Sequence, residues 1–186
     1  MTSTSQIISD YKKLQSLLEQ FRKDKQRIVL TQGSFDMVHI GHARYCEKAK
    51  SYGDVLIVGV DSDEKVRERK GPDRPIVPEE ERLEMLIHLR AVDLVVLKPV
   101  HAPKWDLIKL IKPDVLVATK QTYTAEKIEE LKKWCGKIVV LEPMATTSTS
   151  AKLRRMQMGA AKKLSTVFSQ KLIKSIEEVL AELKGE

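Results

Sequence analysis

Residues 31–42 read T-Q-G-S-F-D-M-V-H-I-G-H and set two histidines three positions apart around a glycine. Those residue types in that order suit a phosphate. His39 and His42 can each donate a ring N–H to a phosphate oxygen. Gly41 has no Cβ, so a ligand can come close to the backbone. Gly33 would let the chain turn tightly against a phosphate or a base. A helix opening at this point would add free N–H groups and the positive end of its dipole. Metal ligation by the two histidines is the weaker alternative, since no Cys or carboxylate stands at a third-ligand spacing.

The elements around this stretch must present it. Ile28, Val29 and Leu30 form a short β-type run just before it. Apolar runs at 55–60, 94–97, 115–117 and 138–141 read as buried parallel strands. Segments of helical period at 43–52, 79–90, 104–111 and 125–134 separate them. Such alternation predicts a Rossmann-like, doubly wound α/β sheet of about five parallel strands. Ligands bind such sheets outside the carboxyl ends of the strands, which is where the histidine pair falls. A leading helix is predicted over 6–22, where Ile7, Tyr11, Leu14, Leu18 and Phe21 fall on one stripe, with Ser3, Thr4 or Ser5 as its cap. From Leu164 the apolar residues Val167, Phe168, Leu172, Ile176, Val179, Leu180 and Leu183 predict a long terminal helix. The expected organisation is one nucleotide-handling domain at 1–155, with its leading helix in 1–26, and a helical extension at 156–186.

Composition fits that picture. A chain of 186 residues with 42% hydrophobic and 32% charged residues is one ordinary domain, too short for a full class I aminoacyl-tRNA synthetase. The formal charge of +7 suggests an anionic partner without choosing among phosphorylated metabolites, nucleic acid and membrane surfaces. Residues 151–186 hold eight basic and four acidic side chains, so more than half of that surplus sits at the end of the chain. Cys46 and Cys135 form no metal or disulfide framework and are expected as buried free thiols, with no disulfide partner. No apolar run approaches a membrane span, and M-T-S-T-S-Q lacks the features of a signal peptide, so a cytoplasmic location is expected.

The segment from Gly33 to His42 resembles the G-x-F-D-x-x-H-x-G-H signature of the cytidylyltransferase-like nucleotidyltransferase superfamily. Lys70-Gly71, Arg74-Pro75 and Arg82 are similar to the L-K-G-x-x-R-P…R block in the adenylyltransferase domain of ADP-heptose synthases. Glycerol- and ethanolamine-phosphate cytidylyltransferases carry related motifs, so the nucleotide stays open between ATP and CTP. Residues 147–150, T-S-T-S, resemble the family's Ser/Thr motif at a helix start. The likeness covers roughly residues 10–155.

It implies an enzyme that transfers AMP or CMP from a nucleoside triphosphate to a small phosphomonoester, a sugar phosphate in the leading reading, and releases pyrophosphate. His39, His42 and Lys70 are then the catalytic candidates. Thr31, Gly33, Ser34, Phe35, Gly41, Arg74, Arg82, Thr119, Ser148, Thr149 and Ser150 are the nucleotide-binding candidates. No protein metal ligand is expected, Mg²⁺ arriving with the triphosphate. Asp36 is expected to brace the turn, because a further free carboxylate would repel the nucleotide. The competing readings are a CTP-dependent enzyme making a CDP-alcohol and a non-catalytic nucleotide- or nucleic-acid-binding protein. The terminal helix is expected to pack or to support a homodimer, with nucleic acid and membrane not expected as partners.

The pattern is broken after Pro113-Asp114-Val115-Leu116-Val117. The family usually continues with two glycines and an aspartate, whereas residues 118–123 read A-T-K-Q-T-Y. Thr119 and Lys120 bring bulk and charge to a region that normally lies near the nucleotide. The base that is read is open for that reason.

Overall fold

The computed structural model describes residues 6–119, 123–144 and 149–184; the side chains of 149–154, 157, 160, 177, 178 and 180–184 are outside that description. Two compact units emerge, Met1–Ala145 and Thr146–Glu186.

The first unit is a six-stranded, all-parallel sheet in the order β1-β4-β3-β2-β5-β6. The strands are β1 (Gln6–Ile8), β2 (Ile28–Gly33), β3 (Val55–Asp61), β4 (Leu94–Lys98), β5 (Val115–Thr119) and β6 (Lys137–Leu141). Between them run α1 (Tyr11–Lys23), α2 (Ile40–Lys50), α3 (Asp63–Lys70), α4 (Glu79–Ile87), α5 (Asp106–Ile111) and α6 (Ala125–Leu131). Parallel strands need crossovers, and helices on both faces bury the sheet, which explains the nearly continuous apolar runs. One core cluster contains Leu14, Leu18, Leu30, Ile57, Ile108 and Leu131, from the α1, α5 and α6 side. The other contains Val29, Cys46, Ala49, Val58, Leu83 and Leu86, from the α2 and α4 side. Cys46 and Cys135 are buried in these cores, and burial pushes their thiols up to about 12 and about 11. Thiols so held stay protonated and unreactive at neutral pH.

Three aspartates register the amino ends of the strands. Asp54, Asp93 and Asp114 each precede a strand by one residue. Their carboxylates accept from the N–H of Arg27 at 2.7 Å, Leu56 at 2.6 Å and Ile28 at 2.7 Å. Each satisfies a donor that the ladder leaves open at the entry to a neighbouring strand. The opposite, carboxyl edge is thereby left to the loops that carry chemistry.

The beginning of the chain departs from the sequence expectation. The helix starts at Tyr11, capped by Asp10, whose side chain accepts from the Lys12 N–H at 2.8 Å. Ile7 is not on its stripe; it belongs to β1, a three-residue edge strand registered against Leu94, Val95 and Val96. So short a strand shows no period, and its one fully buried residue, Ile8, comes from pairing and tertiary contact. Ser3, Thr4 and Ser5, the expected caps, lie outside the described residues. In the second unit α7 (Thr149–Lys184) is one 36-residue helix. No described helix is long and apolar enough to cross a membrane.

Candidate active site

β2 lies between β3 and β5, so the chain direction of the connections reverses beside it. A crevice opens at the carboxyl end of such a switch point. Residues 33–42 leave β2 at that place and enter α2.

The turn is built around Phe35. Its backbone takes φ +48°, and its ring lies against Gly33, where an added Cβ would come 3.2 Å from Phe35 Cε2. Phe35 is buried, and its ring centroid stands 5.7 Å from that of His42. Gly33 therefore serves the packing of the turn: with no side chain it lets Phe35 fold back and wedge the His42 ring.

The two histidines hold each other. His39 is the N-cap of α2, and its Nδ1 accepts from the Gly41 N–H at 3.0 Å. The His39 N–H donates to His42 Nδ1 at 3.2 Å, completing a reciprocal capping box. The ring centroids are 4.2 Å apart. Because each Nδ1 is an acceptor, a neutral ring carries its proton on Nε2. Both imidazoles are thus set as Nε2–H donors. His42 is pushed down to about 4 by burial, then by His39 and by Lys70, so it is neutral at physiological pH. Within the first turn of α2 the Gly41 N–H is taken by His39 Nδ1 and the His42 N–H by His39 O at 2.8 Å. The Gly41 and His42 N–H groups, which the sequence offered to a phosphate, are thus already paired within the cap.

Lys70 ends α3, and its ammonium donates to Ser34 Oγ at 2.7 Å. Burial, then Arg74 and Arg69, lower its pKa. Gly71 follows at φ +97°, a conformation that favours glycine, and frees the chain to turn after the lysine. The loop 71–78 is fastened to the histidine turn by Asp36. That buried carboxylate accepts from the Ile76 and Val77 N–H groups and pairs with Arg74 Nη2 at 2.6 Å. Asp36 braces the turn, and Arg74 stands at the site with Nη2 held in that brace and its buried Nε without a hydrogen-bond partner among the described residues.

Thr31 and Arg82 lie behind the site. Thr31 is fully buried; its Oγ1 is 2.8 Å from the Tyr45 hydroxyl, which donates in turn to Val117 O at 3.1 Å. This chain ties β2, α2 and β5 together beneath the crevice. Burial pushes the Tyr45 phenol up to about 12. Arg82 is 1% exposed and donates to Asp63 Oδ1 at 2.7 Å, Val77 O at 3.0 Å and Ser34 O. Both side chains are engaged in interior hydrogen bonds, a burial that spacing alone does not reveal. Thr119 ends β5 on the other side of the crevice. Lys120, Gln121 and Thr122, and Thr147 and Ser148, lie outside the described residues. Thr149 and Ser150 open α7, their side chains outside the description.

The reading from sequence overlooked the ion cluster at the ends of β3 and β4. Asp61 is 1% exposed and receives Lys98 at 2.9 Å and Arg69 at 2.5 Å. Asp61 and Lys98 are 37 residues apart in the chain and are joined only by strand register. An open cleft lined by Ser9, Tyr11, Pro99, His101 and Asp106 lies at the β1 and β4 end and contains none of the histidine-site residues. Among the described residues no group of three His, Cys, Asp or Glu could hold a metal ion.

The sequence profile of the cytidylyltransferase-like family matches residues 30–174. "Bifunctional protein HldE" of a Nitratiruptor species is 46% identical over 114 residues, covering 61% of this chain and 24% of that protein. The protein of the same name from Helicobacter pylori (strain J99 / ATCC 700824) is 41% identical over 143 residues, covering 76% and 31%. The chain thus spans under a third of the length of these relatives. A crystal structure described as a lipopolysaccharide core biosynthesis protein from Thermoplasma volcanium GSS1 superposes with TM-score 0.56 at 27% identity, over 64% of this chain and 99% of that one.

Proposed function

This chain belongs to the cytidylyltransferase-like family, and from that premise we propose that it is a nucleotidyltransferase moving AMP or CMP from a nucleoside triphosphate onto a small phosphomonoester, a sugar phosphate in the first instance. The single observation that carries this reading is the reciprocal cap of His39 and His42, which leaves two adjacent rings that each carry a donor N–H on Nε2.

In the proposed reaction an oxygen of the acceptor phosphate attacks the α-phosphorus of the triphosphate. The new P–O bond forms as the bond to the β-phosphate oxygen breaks, and pyrophosphate leaves with the electron pair. No protein nucleophile takes part. The chain's task is to position two anions and stabilise the charge that builds on the phosphate oxygens. His39 and His42 donate from Nε2 to α- and β-phosphate oxygens. Lys70, held by Ser34, bridges the acceptor phosphate and the triphosphate. Its lowered pKa reflects a partly buried lysine crowded by Arg74 and Arg69, to which an arriving anion restores balance. Gly41 keeps the approach to the histidines open. Thr119 is proposed to border the nucleoside.

Mg²⁺ supplies charge neutralisation on the triphosphate in such chemistry. The donors described at this site are histidine and lysine, and Asp36 is committed to Arg74 and two amides. Among the described residues the histidine turn offers the ion no uncommitted carboxylate. The ion is therefore proposed to ride on phosphate oxygens and water, and no step depends on its contact with the protein.

Incubation with ATP or CTP and a panel of phosphomonoesters, scored by pyrophosphate, tests the proposal. Release that needs both substrates supports it. No release with any pair, under conditions where the nucleotide binds, overturns it.

A further inference from the structure

At the carboxyl ends of β2, β3 and β4, next to the histidine turn, a second set of polar groups converges. The register pairs Gln32 with Gly59 and Asp61 with Lys98. Alternation along the strands puts Gln32, Gly59, Asp61 and Lys98 on one face, the face covered by α5. Gly59 is the reason they can meet. A Cβ there would stand 2.7 Å from Leu107 Cδ2, 3.0 Å from Lys98 Cδ and 3.1 Å from Gln32 Cγ. Lacking one, Gly59 allows the Gln32 and Lys98 side chains to approach each other over its backbone.

Three properties of this group point outward to a ligand. The Gln32 amide nitrogen is buried and has no hydrogen-bond partner among the described residues. A buried donor left unmade is destabilising, so its natural completion is an acceptor on something bound. The Asp61–Lys98 pair is buried, and a buried ion pair is a poor source of stability against an apolar replacement. Burial would raise the Asp61 pKa, but Lys98 and Arg69 more than offset it, and the carboxylate stays ionised. Finally, the last two residues of α3 link this group to the proposed reaction centre: Arg69 reaches Asp61, while Lys70 reaches Ser34.

We infer that Gln32 and Lys98, with Asp61 as the residue that positions Lys98, read the hydroxyl groups of a polyol-phosphate acceptor. The inference rests on the proposed nucleotidyl transfer and extends it to the residues that select the acceptor. A phosphate held at Lys70 directs its carbon skeleton along α3 toward Asp61, on the β3–β4 side of β2. The β2–β5 crevice is left for the nucleotide. Amide and ammonium N–H groups beside carboxylate lone pairs match hydroxyls, which both donate and accept. The charge also discriminates. Lys65, Arg69 and Lys98 all bear on the one carboxylate of Asp61. An acceptor ending in an ammonium group would meet this cationic surplus, whereas a neutral polyol would not.

Ligand-observed NMR on the full chain measures binding without requiring turnover. The probes are glucose 1-phosphate, glycerol 3-phosphate and phosphoethanolamine. At least one hydroxylated probe is expected to bind about tenfold more tightly than phosphoethanolamine. Gln32→Ala and Lys98→Met should each weaken that probe by about tenfold, the scale of one lost hydrogen bond to a charged or buried group, with ATP and CTP binding within about twofold of the parent. Thermal melts identify any variant that fails to fold. Gln32→Ala removes no charge, and it carries the test if Lys98→Met proves unstable. Equal binding of phosphoethanolamine, no binding of either hydroxylated probe, or unchanged polyol binding in the folded variants overturns the inference. Selective polyol binding without pyrophosphate release would overturn the proposed reaction and leave this subsite standing.

Discussion

His39 and His42 each use Nδ1 to accept a backbone N–H at the start of α2, from Gly41 and from His39 itself. The relationship makes the pair a structural cap in addition to its proposed role as donors to the triphosphate. Removing either ring should therefore affect both roles, and the two effects have to be read separately.

His39→Ala and His42→Ala are each expected to lower turnover by at least ~100-fold, the scale of one lost transition-state donor. Loss of a helix cap should add about 1 kcal/mol of destabilisation. Asparagine at position 39 should restore much of the cap and little of the rate. Steady-state kinetics beside thermal melts separate these outcomes, and near-normal turnover in both alanine variants would contradict the site.

The pH dependence of His42 follows from its environment. Its pKa falls from 6.5 in the unfolded chain to about 4 in the folded one. The unfolded chain therefore binds the proton first as pH drops. Stability contributed by neutral His42 is present above about 6.5 and is lost as pH falls through the folded value near 4. An NMR titration of the His42 ring should show no protonation step above about pH 5. A midpoint at the unfolded value would contradict the burial argument.

Lys70→Met should reduce kcat/KM by about 10- to 100-fold while leaving the melting temperature nearly unchanged, since the lysine leans on Ser34 and is partly solvated. Ser34→Ala is expected to act in the same direction and more weakly. Kinetics at saturating nucleotide with varied acceptor check the assignment.

Arg82 gives the opposite pattern. Its guanidinium bridges Asp63, Val77 O and Ser34 O inside the protein. Arg82→Met leaves Asp63 unpaired and two carbonyls short of donors, so a loss on the order of 3–5 kcal/mol is expected. Urea unfolding measures it. A stable Arg82→Met protein with only a raised nucleotide KM would make Arg82 a direct contact after all.

The central strands and the histidine turn were legible because apolar runs and a dense local motif encode them within a few residues. β1 was not, since three edge residues carry no period and Ile7 fits a helical stripe as well as a strand. Asp61 and Lys98 were invisible for another reason: each is an ordinary charge in its own segment, and only the β3–β4 register brings them to 2.9 Å. The burial of Thr31 and Arg82 was not legible either, because it comes from long-range contacts that motif spacing does not encode. Asp36, by contrast, could be assigned to bracing from charge alone, because a triphosphate site disfavours a free carboxylate.

The proposed reaction centres on the histidine pair acting on a triphosphate. Pyrophosphate release should be measured for the parent chain and the His39→Ala/His42→Ala double variant, with ATP and CTP and each phosphomonoester acceptor. The predicted result is release that requires both substrates in the parent and falls by at least ~100-fold in the folded double variant. Release by the double variant at the parent's rate, or none from the parent with any pair, would contradict it.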